Sequence, residues 1–205
     1  MKINVVSYAT GRFLKSQKIL EKECYRFGAD KVFSYNFEDL SPEFKEKNKN
    51  VLYFPRGAGY WVWKPYVILE AFKKIENEEF LIYLDSGMFP INNLNYLLED
   101  KEIISFEMYD QLHKDWTKYD CFHLMGCLDE KYYVEKQRLS GFQIYKKTER
   151  SIKFVEEYLF YCENYDHRCI NDSTSIYGIE ASYFKENRHD QSVFTNLCIK
   201  HGITG

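Results

Sequence analysis

Three residues in one stretch, Arg56, Lys64 and Asp85, have the types and spacing for ligand chemistry: RGAGYWVWKPYVILEAFKKIENEEFLIYLDSG, residues 56–87. Pro65 fixes Lys64 in an extended conformation and begins a helix carried by Ile68, Phe72 and Ile75, with Leu69 and Ala71 beside that face. A cation at a helix mouth costs folding about 0.3 to 1 kcal/mol, yet suits an anion such as a diphosphate. The bland alternative is a lysine solvated at a loop edge. Asp85 ends Phe80 to Leu84 (FLIYL), a run apolar throughout and so expected to be a central strand buried on both faces. Open α/β sheets bind ligands at the carboxyl edge of such strands. A carboxylate there also costs desolvation free energy unless a cation or a donor meets it. Asp85-Ser86-Gly87 is equally a good Asx turn, and Gly57 and Gly59 permit either close backbone approach or an ordinary turn.

The elements that must position these groups follow from pattern and punctuation. Lys2 to Tyr8 reads as a strand and ATG as its turn; a helix follows from about Phe13 to Phe27, with Leu14, Ile19, Leu20 and Cys24 inward and Gly28 as its stop. That strand, turn and helix form the first half of a βαβ unit, though a lone Gly11 is no dinucleotide fingerprint. Lys31 to Tyr35 is a second strand. Ser41 caps a helical turn with Pro42 at its first position, and Val51 to Phe54 reads as strand or extended chain. Ile103, Ile104 and Phe106 mark a further strand, Ser140 to Tyr145 another, and Ser151 to Asn164 a helix capped by Ser151 with Ile152, Val155, Leu159 and Cys162 inward. Asp190 caps a last helix carrying Val193, Phe194, Leu197 and Cys198 and closed by Gly202.

Size and composition exclude several classes. A chain of 205 residues supports one sizeable core, so residues 1–205 are read as one α/β domain. With 28 basic against 31 acidic residues and no basic run, a nucleic-acid partner is disfavoured. No signal-peptide pattern opens the chain and no span is apolar enough to cross a membrane, which points to a soluble cytoplasmic protein. The six cysteines show no CxxC pair and no zinc-type spacing, so they are read as reduced core thiols. The 18 Tyr, 16 Phe and 3 Trp make the chain unusually aromatic, suiting sugar rings and bases as well as cores.

Five blocks together carry a resemblance: RGAGYWVWKPYVILE (56–70), FLIYLDSG (80–87), DWTKYDCFHLMGC (115–127), QRLSGFQIYKKTERS (137–151) and RHDQSVFTNL (188–197). In type and order they resemble bacterial glycosyltransferases of the GT-A, nucleotide-diphospho-sugar transferase fold, of the kind found in capsule and lipopolysaccharide synthesis. The resemblance implies a single GT-A-like (Rossmann-like) domain with a mixed, mostly parallel sheet flanked by helices. It implies a nucleotide-diphosphate sugar donor, a glycan or lipid-linked acceptor, and peripheral contact with the inner face of the membrane. Tyr8, Ala9 and Thr10 would meet the nucleobase and ribose, Arg56 and Lys64 the diphosphate, and Asp85 with Ser86 the sugar nucleotide. Ser140, Gly141, His189 and Gln191 would lie beside the donor and acceptor sugars, although Gly141 also reads as a strand bend and Asp190 as a plain N-cap.

The acidic motif of that pattern is usually Asp-x-Asp, and here its third position is Gly87. A divalent metal, Mn²⁺ or Mg²⁺, would have Asp85 as its one motif ligand, joined by His201; without metal, Asp85 would hydrogen-bond the ribose or sugar. An inverting reaction would need a base for the acceptor hydroxyl, for which Asp190, Asp129 and Glu180 are the candidates in that order. The reading of second rank is a module that binds a sugar nucleotide or glycan without chemistry. A phosphotransferase of the P-loop kind is disfavoured because G-x-x-x-x-G-K-[ST] is absent. The early stop after Ile203-Thr204-Gly205 leads us to expect a further C-terminal segment in the whole protein.

Overall fold

The structure, a computed structural model, describes residues 2–205. Among the described residues there are seven strands: β1 (Ile3–Tyr8), β2 (Lys31–Tyr35), β3 (Phe80–Leu84), β4 (Ile103–Ile104), β5 (Glu107–Leu112), β6 (Lys136–Arg138) and β7 (Phe142–Lys146). Four helices of ten residues or more accompany them, α1 (Phe13–Arg26), α2 (Trp63–Phe72), α3 (Glu149–Glu163) and α4 (Asp190–Lys200). The main sheet has the order β2-β1-β3-β7-β4. β1 pairs parallel with β2 and β3, whereas β7 runs antiparallel to both β3 and β4, so four of the five strands share one direction. The expected mixed, mostly parallel α/β sheet is therefore present, with the apolar β3 at its centre and fully buried. β5 and β6 form a separate antiparallel ribbon.

Strand alternation divides the core into two layers. Val6, Tyr8, Leu81, Tyr83 and Tyr145 face α2, α3 and α4 in the larger cluster. Ile3, Val5, Phe80, Ile82, Leu84 and Ile144 face Leu20 and Cys24 of α1 in the smaller one. Asp85 lies two residues beyond Tyr83 and is carried out on the same side, toward α2.

The helices depart from the sequence reading at several points. α1 buries Gln17, Leu20 and Cys24, leaving Leu14 and Ile19 exposed. Gln17 is inward because its amide donates to Ser7 Oγ at 3.1 Å and to Tyr35 O at 2.9 Å, which a hydrophobic periodicity does not see. Val51 to Phe54 is not a strand: Lys49–Leu52 forms a helical turn that still buries Val51 and Leu52. α2 starts at Trp63, ahead of Pro65, since a first-turn position needs no N–H and tolerates proline. Lys64 is consequently helical and buried, neither extended nor solvated. α3 is capped by Thr148, with Ser151 completing a reciprocal capping box from the third helical position. His189, not Asp190, occupies the N-cap of α4, which frees the Asp190 side chain for a tertiary role.

Candidate functional site

The chain bends sharply between Pro55 and Trp63, and that bend builds one wall of a cleft at the carboxyl edge of β1 and β3. Gly57, Ala58, Gly59, Tyr60 and Trp61 all have positive φ, from 48° to 100°. For the three that are not glycine this left-handed turn costs on the order of 1–2 kcal/mol each. Backbone strain of this kind concentrates at ligand sites. Glycine is required at 59, where φ is +100° and a Cβ would stand 2.8 Å from the Leu52 Cα. The turn is held by Trp63 Nε1, which donates to Gly57 O at 2.9 Å, and Trp63 stacks on Tyr8 with centroids 4.0 Å apart.

Two chambers meet there. The larger, about 580 Å³, is lined by Tyr8, Ala9 and Thr10 from the end of β1, by Arg12 and Phe13 opening α1, by Trp61 and Trp63, and by Asp85, Ser86 and Met88. The smaller, about 170 Å³, is lined by Arg56, Lys64, Ser140, Gly141, Arg188, His189, Asp190 and Gln191. Trp61 and Asp85 line both. Residues from four of the five sequence blocks, 56–70, 80–87, 137–151 and 188–197, are thereby brought together with the end of β1, while the block 115–127 lines neither chamber.

Beneath the junction lies a buried charged cluster. The Lys64 ammonium donates to Asp190 Oδ2 at 2.7 Å and to Ser140 Oγ at 3.1 Å, and stands 3.6 Å from Asp85 Oδ1. Burial disfavours that charge, but the two carboxylates outweigh it and hold the Lys64 pKa above its ordinary value. Tyr83 OH donates to Asp85 Oδ1 at 2.6 Å, and Tyr158 OH to Asp190 Oδ2 at 2.8 Å. Burial, reinforced by those carboxylates, pushes both phenols well above the ordinary tyrosine range, so each stays an O–H donor. Asp85 is also fixed through its backbone, its N–H donating to Gly141 O at 2.9 Å. A Cβ on Gly141 would lie 2.7 Å from Asp85 Oδ2, so only glycine leaves that oxygen its room.

His189 forms the far wall of the smaller chamber. Its ring stacks between Tyr60 and Trp61, with centroids 5.3 Å from each. Nδ1 lies 2.6 Å from Ile170 O and so carries the proton, leaving Nε2 as a buried acceptor without a partner, 3.9 Å from Asp172 Oδ1. Burial lowers the His189 pKa and keeps the imidazole neutral. At the rim, Arg56 pairs with Glu186 at 3.1 Å and with Asp172 at 3.7 Å.

Three expected site residues lie elsewhere. Asp129 is exposed and opens the short helix Glu130–Val134. Glu180 is engaged in ordering its own loop: it accepts from the Tyr119 N–H at 2.9 Å and from the Ser175 hydroxyl. His201 ends α4, about 16 Å along the helix from Asp190, and pairs with Glu157 at 2.6 Å. Among the described residues no group of three or more His, Cys, Asp or Glu side chains is placed to hold a metal ion. The sequence reading missed Arg12, Trp61, Trp63, Tyr83, Tyr158 and Arg188. The two-residue step from Tyr83 to Asp85 could have exposed the first phenol. Tyr158 gives no such signal, for it sits on the apolar face of α3.

No family model and no curated protein matches the sequence. Among solved structures the chain is similar to a glycosyltransferase involved in the glycosylation of the major capsid of PBCV-1, at 13% identity and a TM-score of 0.46, over 80% of this chain and 68% of that one. It is also similar to the galactosyltransferase LgtC in complex with donor and acceptor sugar analogues, at 13% identity and a TM-score of 0.45, over 95% of this chain and 70% of that one. Likenesses this distant assign no chemistry.

Proposed function

We propose that the chain is a glycosyltransferase, moving a sugar from a nucleoside-diphosphate sugar to a hydroxyl of a glycan or lipid-linked acceptor. The observation that carries this reading is the two-chambered cleft with Asp85 and Trp61 at its junction. The larger chamber, about 580 Å³, is within the range for ligands of nucleotide size. A donor lying with its nucleoside along Tyr8 to Thr10 and the indole wall crosses Asp85 at the junction and carries its diphosphate and sugar toward the smaller chamber. The second carboxylate oxygen of Asp85, opposite the one held by Tyr83, accepts from a hydroxyl of that donor. The guanidinium groups of Arg56 and Arg188 stabilise the departing diphosphate.

Asp190, the foremost base candidate on sequence, holds Lys64 and Tyr158 through Oδ2 and acts as a positioning residue. The neutral His189 Nε2 is the better proton acceptor for an incoming hydroxyl, which would take the place of its missing partner. A role in surface polysaccharide synthesis rests on the resemblance of the five blocks. A cytoplasmic location is supported by six free cysteines, all buried. Among the described residues no helix is long and apolar enough to cross a membrane; peripheral contact with a lipid-linked acceptor rests on the same resemblance.

The test is Asp85→Ala. The variant orphans the buried Tyr83 hydroxyl and removes one of the two carboxylates facing Lys64, so it should keep its circular dichroism and lose about 1–3 kcal/mol of stability, while sugar-nucleotide turnover falls at least about 100-fold. Undiminished turnover overturns the role. The glycine at 87 favours a second reading, a sugar-nucleotide binding module. Calorimetric binding of a donor with no product by mass spectrometry, across donors and acceptors, would establish that reading.

A further inference from the structure

The sequence pattern around Asp85 ordinarily supplies two acids to a divalent metal at the diphosphate, and this chain offers a different donor set. Position 87 is glycine and brings no side-chain ligand. One oxygen of Asp85 already accepts from Tyr83 OH at 2.6 Å and faces the Lys64 ammonium at 3.6 Å. The other cleft-floor acid, Asp190, is buried and accepts from Lys64 at 2.7 Å and Tyr158 at 2.8 Å. Both carboxylates therefore share one cation that is already part of the fold. That ammonium is 1% exposed, within hydrogen-bond distance of Asp190 and Ser140 and in ion-pair range of Asp85. A hard divalent ion takes several oxygen ligands and would have to sit on Asp85 within a few ångströms of this fixed positive charge, where burial strengthens repulsion. His201, the ligand that would have to join Asp85, is at the opposite end of α4 and bonded to Glu157.

We infer that the cleft takes a nucleoside-diphosphate sugar without a divalent metal, because the buried Lys64 occupies the electrostatic place of the metal between Asp85 and Asp190. The inference rests on the sugar-nucleotide reading above. The free Asp85 oxygen then binds a ligand hydroxyl, and the diphosphate is met by the guanidinium groups that line the chambers, Arg12, Arg56 and Arg188.

Calorimetric titration of the full chain with uridine, guanosine and thymidine diphosphates, once with EDTA and once with Mn²⁺, separates the possibilities. At least one diphosphate should bind, with Kd differing less than about threefold between the two buffers, and Mn²⁺ alone should give no saturable heat. Tightening by more than about tenfold with Mn²⁺, or saturable binding of Mn²⁺ alone, overturns metal independence and leaves the sugar-nucleotide reading intact. Binding of none in either buffer overturns that reading and this inference with it. A second arm uses Lys64→Met, which leaves two acids without their shared cation. Mn²⁺ should raise the melting temperature of that variant and not of the parent. A folded variant indifferent to Mn²⁺ would show that Lys64 does not stand in for the metal.

Discussion

Two buried polar clusters lie side by side in this molecule, and only one of them is left open. The side chains hydrogen-bonded around His113 are neutral and paired with one another. Gln137 Nε2 donates to His113 Nδ1 at 3.0 Å, so Nε2 carries the proton and donates to Asn196 Oδ1 at 2.8 Å, while Thr195 and Gln191 donate to Gln137 Oε1 at 3.2 and 3.1 Å. Around Lys64 the groups are charged, and one carboxylate is about one-third exposed at a cleft. Gln191 bridges the two, its Oε1 accepting from the Ser140 N–H at 3.3 Å. A closed neutral network orders a core; a charged one with a free acceptor at a cavity has capacity left for a ligand.

The comparison breaks first under acid. Burial drives the His113 pKa down from 6.5 to about 3, with Arg138 adding to the effect and the Asn196 bond opposing it. The unfolded chain thus takes up this proton before the folded one does. Stability from the group is complete above pH 6.5 and is lost as pH falls toward about 3, amounting to about 5 kcal/mol over that window. Urea unfolding between pH 7 and pH 4 should show His113→Gln losing much less stability with acid than the parent. Equal slopes would mean that His113 is not the group responsible.

Next in size is Lys64→Met, read here as folding. It removes a buried ammonium and leaves Asp190, 3% exposed, as an uncompensated charge, so stability should fall by about 3–5 kcal/mol in urea at neutral pH. The loss should shrink when Asp190→Asn is added, because the stranded charge goes with it. Additive losses would show that the two residues do not act as a pair.

The difference between the clusters also explains what the sequence disclosed. β3 was legible to the residue as an apolar run buried throughout, β2 as a short strand of mixed burial between turn residues, and Asp85 because it ends the buried run. Lys64 was assigned to the right site for an incomplete reason. Starting α2 at Trp63 turns its side chain inward, and its partner Asp190 lies more than a hundred residues away, at no spacing that periodicity records. Asp129 and Glu180 were chosen as acids of the right type, but type carries no position. The left-handed run from Gly57 to Trp61 could be anticipated at its glycines and not at Ala58, Tyr60 and Trp61, whose φ values depend on packing around them.

The rim sharpens the same contrast at the small end of the scale. Glu186 pairs with Arg56 and with Arg188, each at 3.1 Å, and its side chain is 41% exposed. Exposed pairs are worth about 0–1 kcal/mol, so Glu186→Gln should shift the unfolding midpoint by little. Its effect should appear in ligand binding instead. Both guanidinium groups line the smaller chamber, and Glu186 competes there with any diphosphate. Removing that competitor should tighten diphosphate binding by roughly threefold to tenfold at low salt, with the gain fading as added salt screens the exposed charges. Unchanged affinity would place the diphosphate away from Arg56 and Arg188. The same kind of charge thus stabilises the fold where it is enclosed, as at Lys64, and is available to a ligand where its partner is exchangeable, as at Arg56.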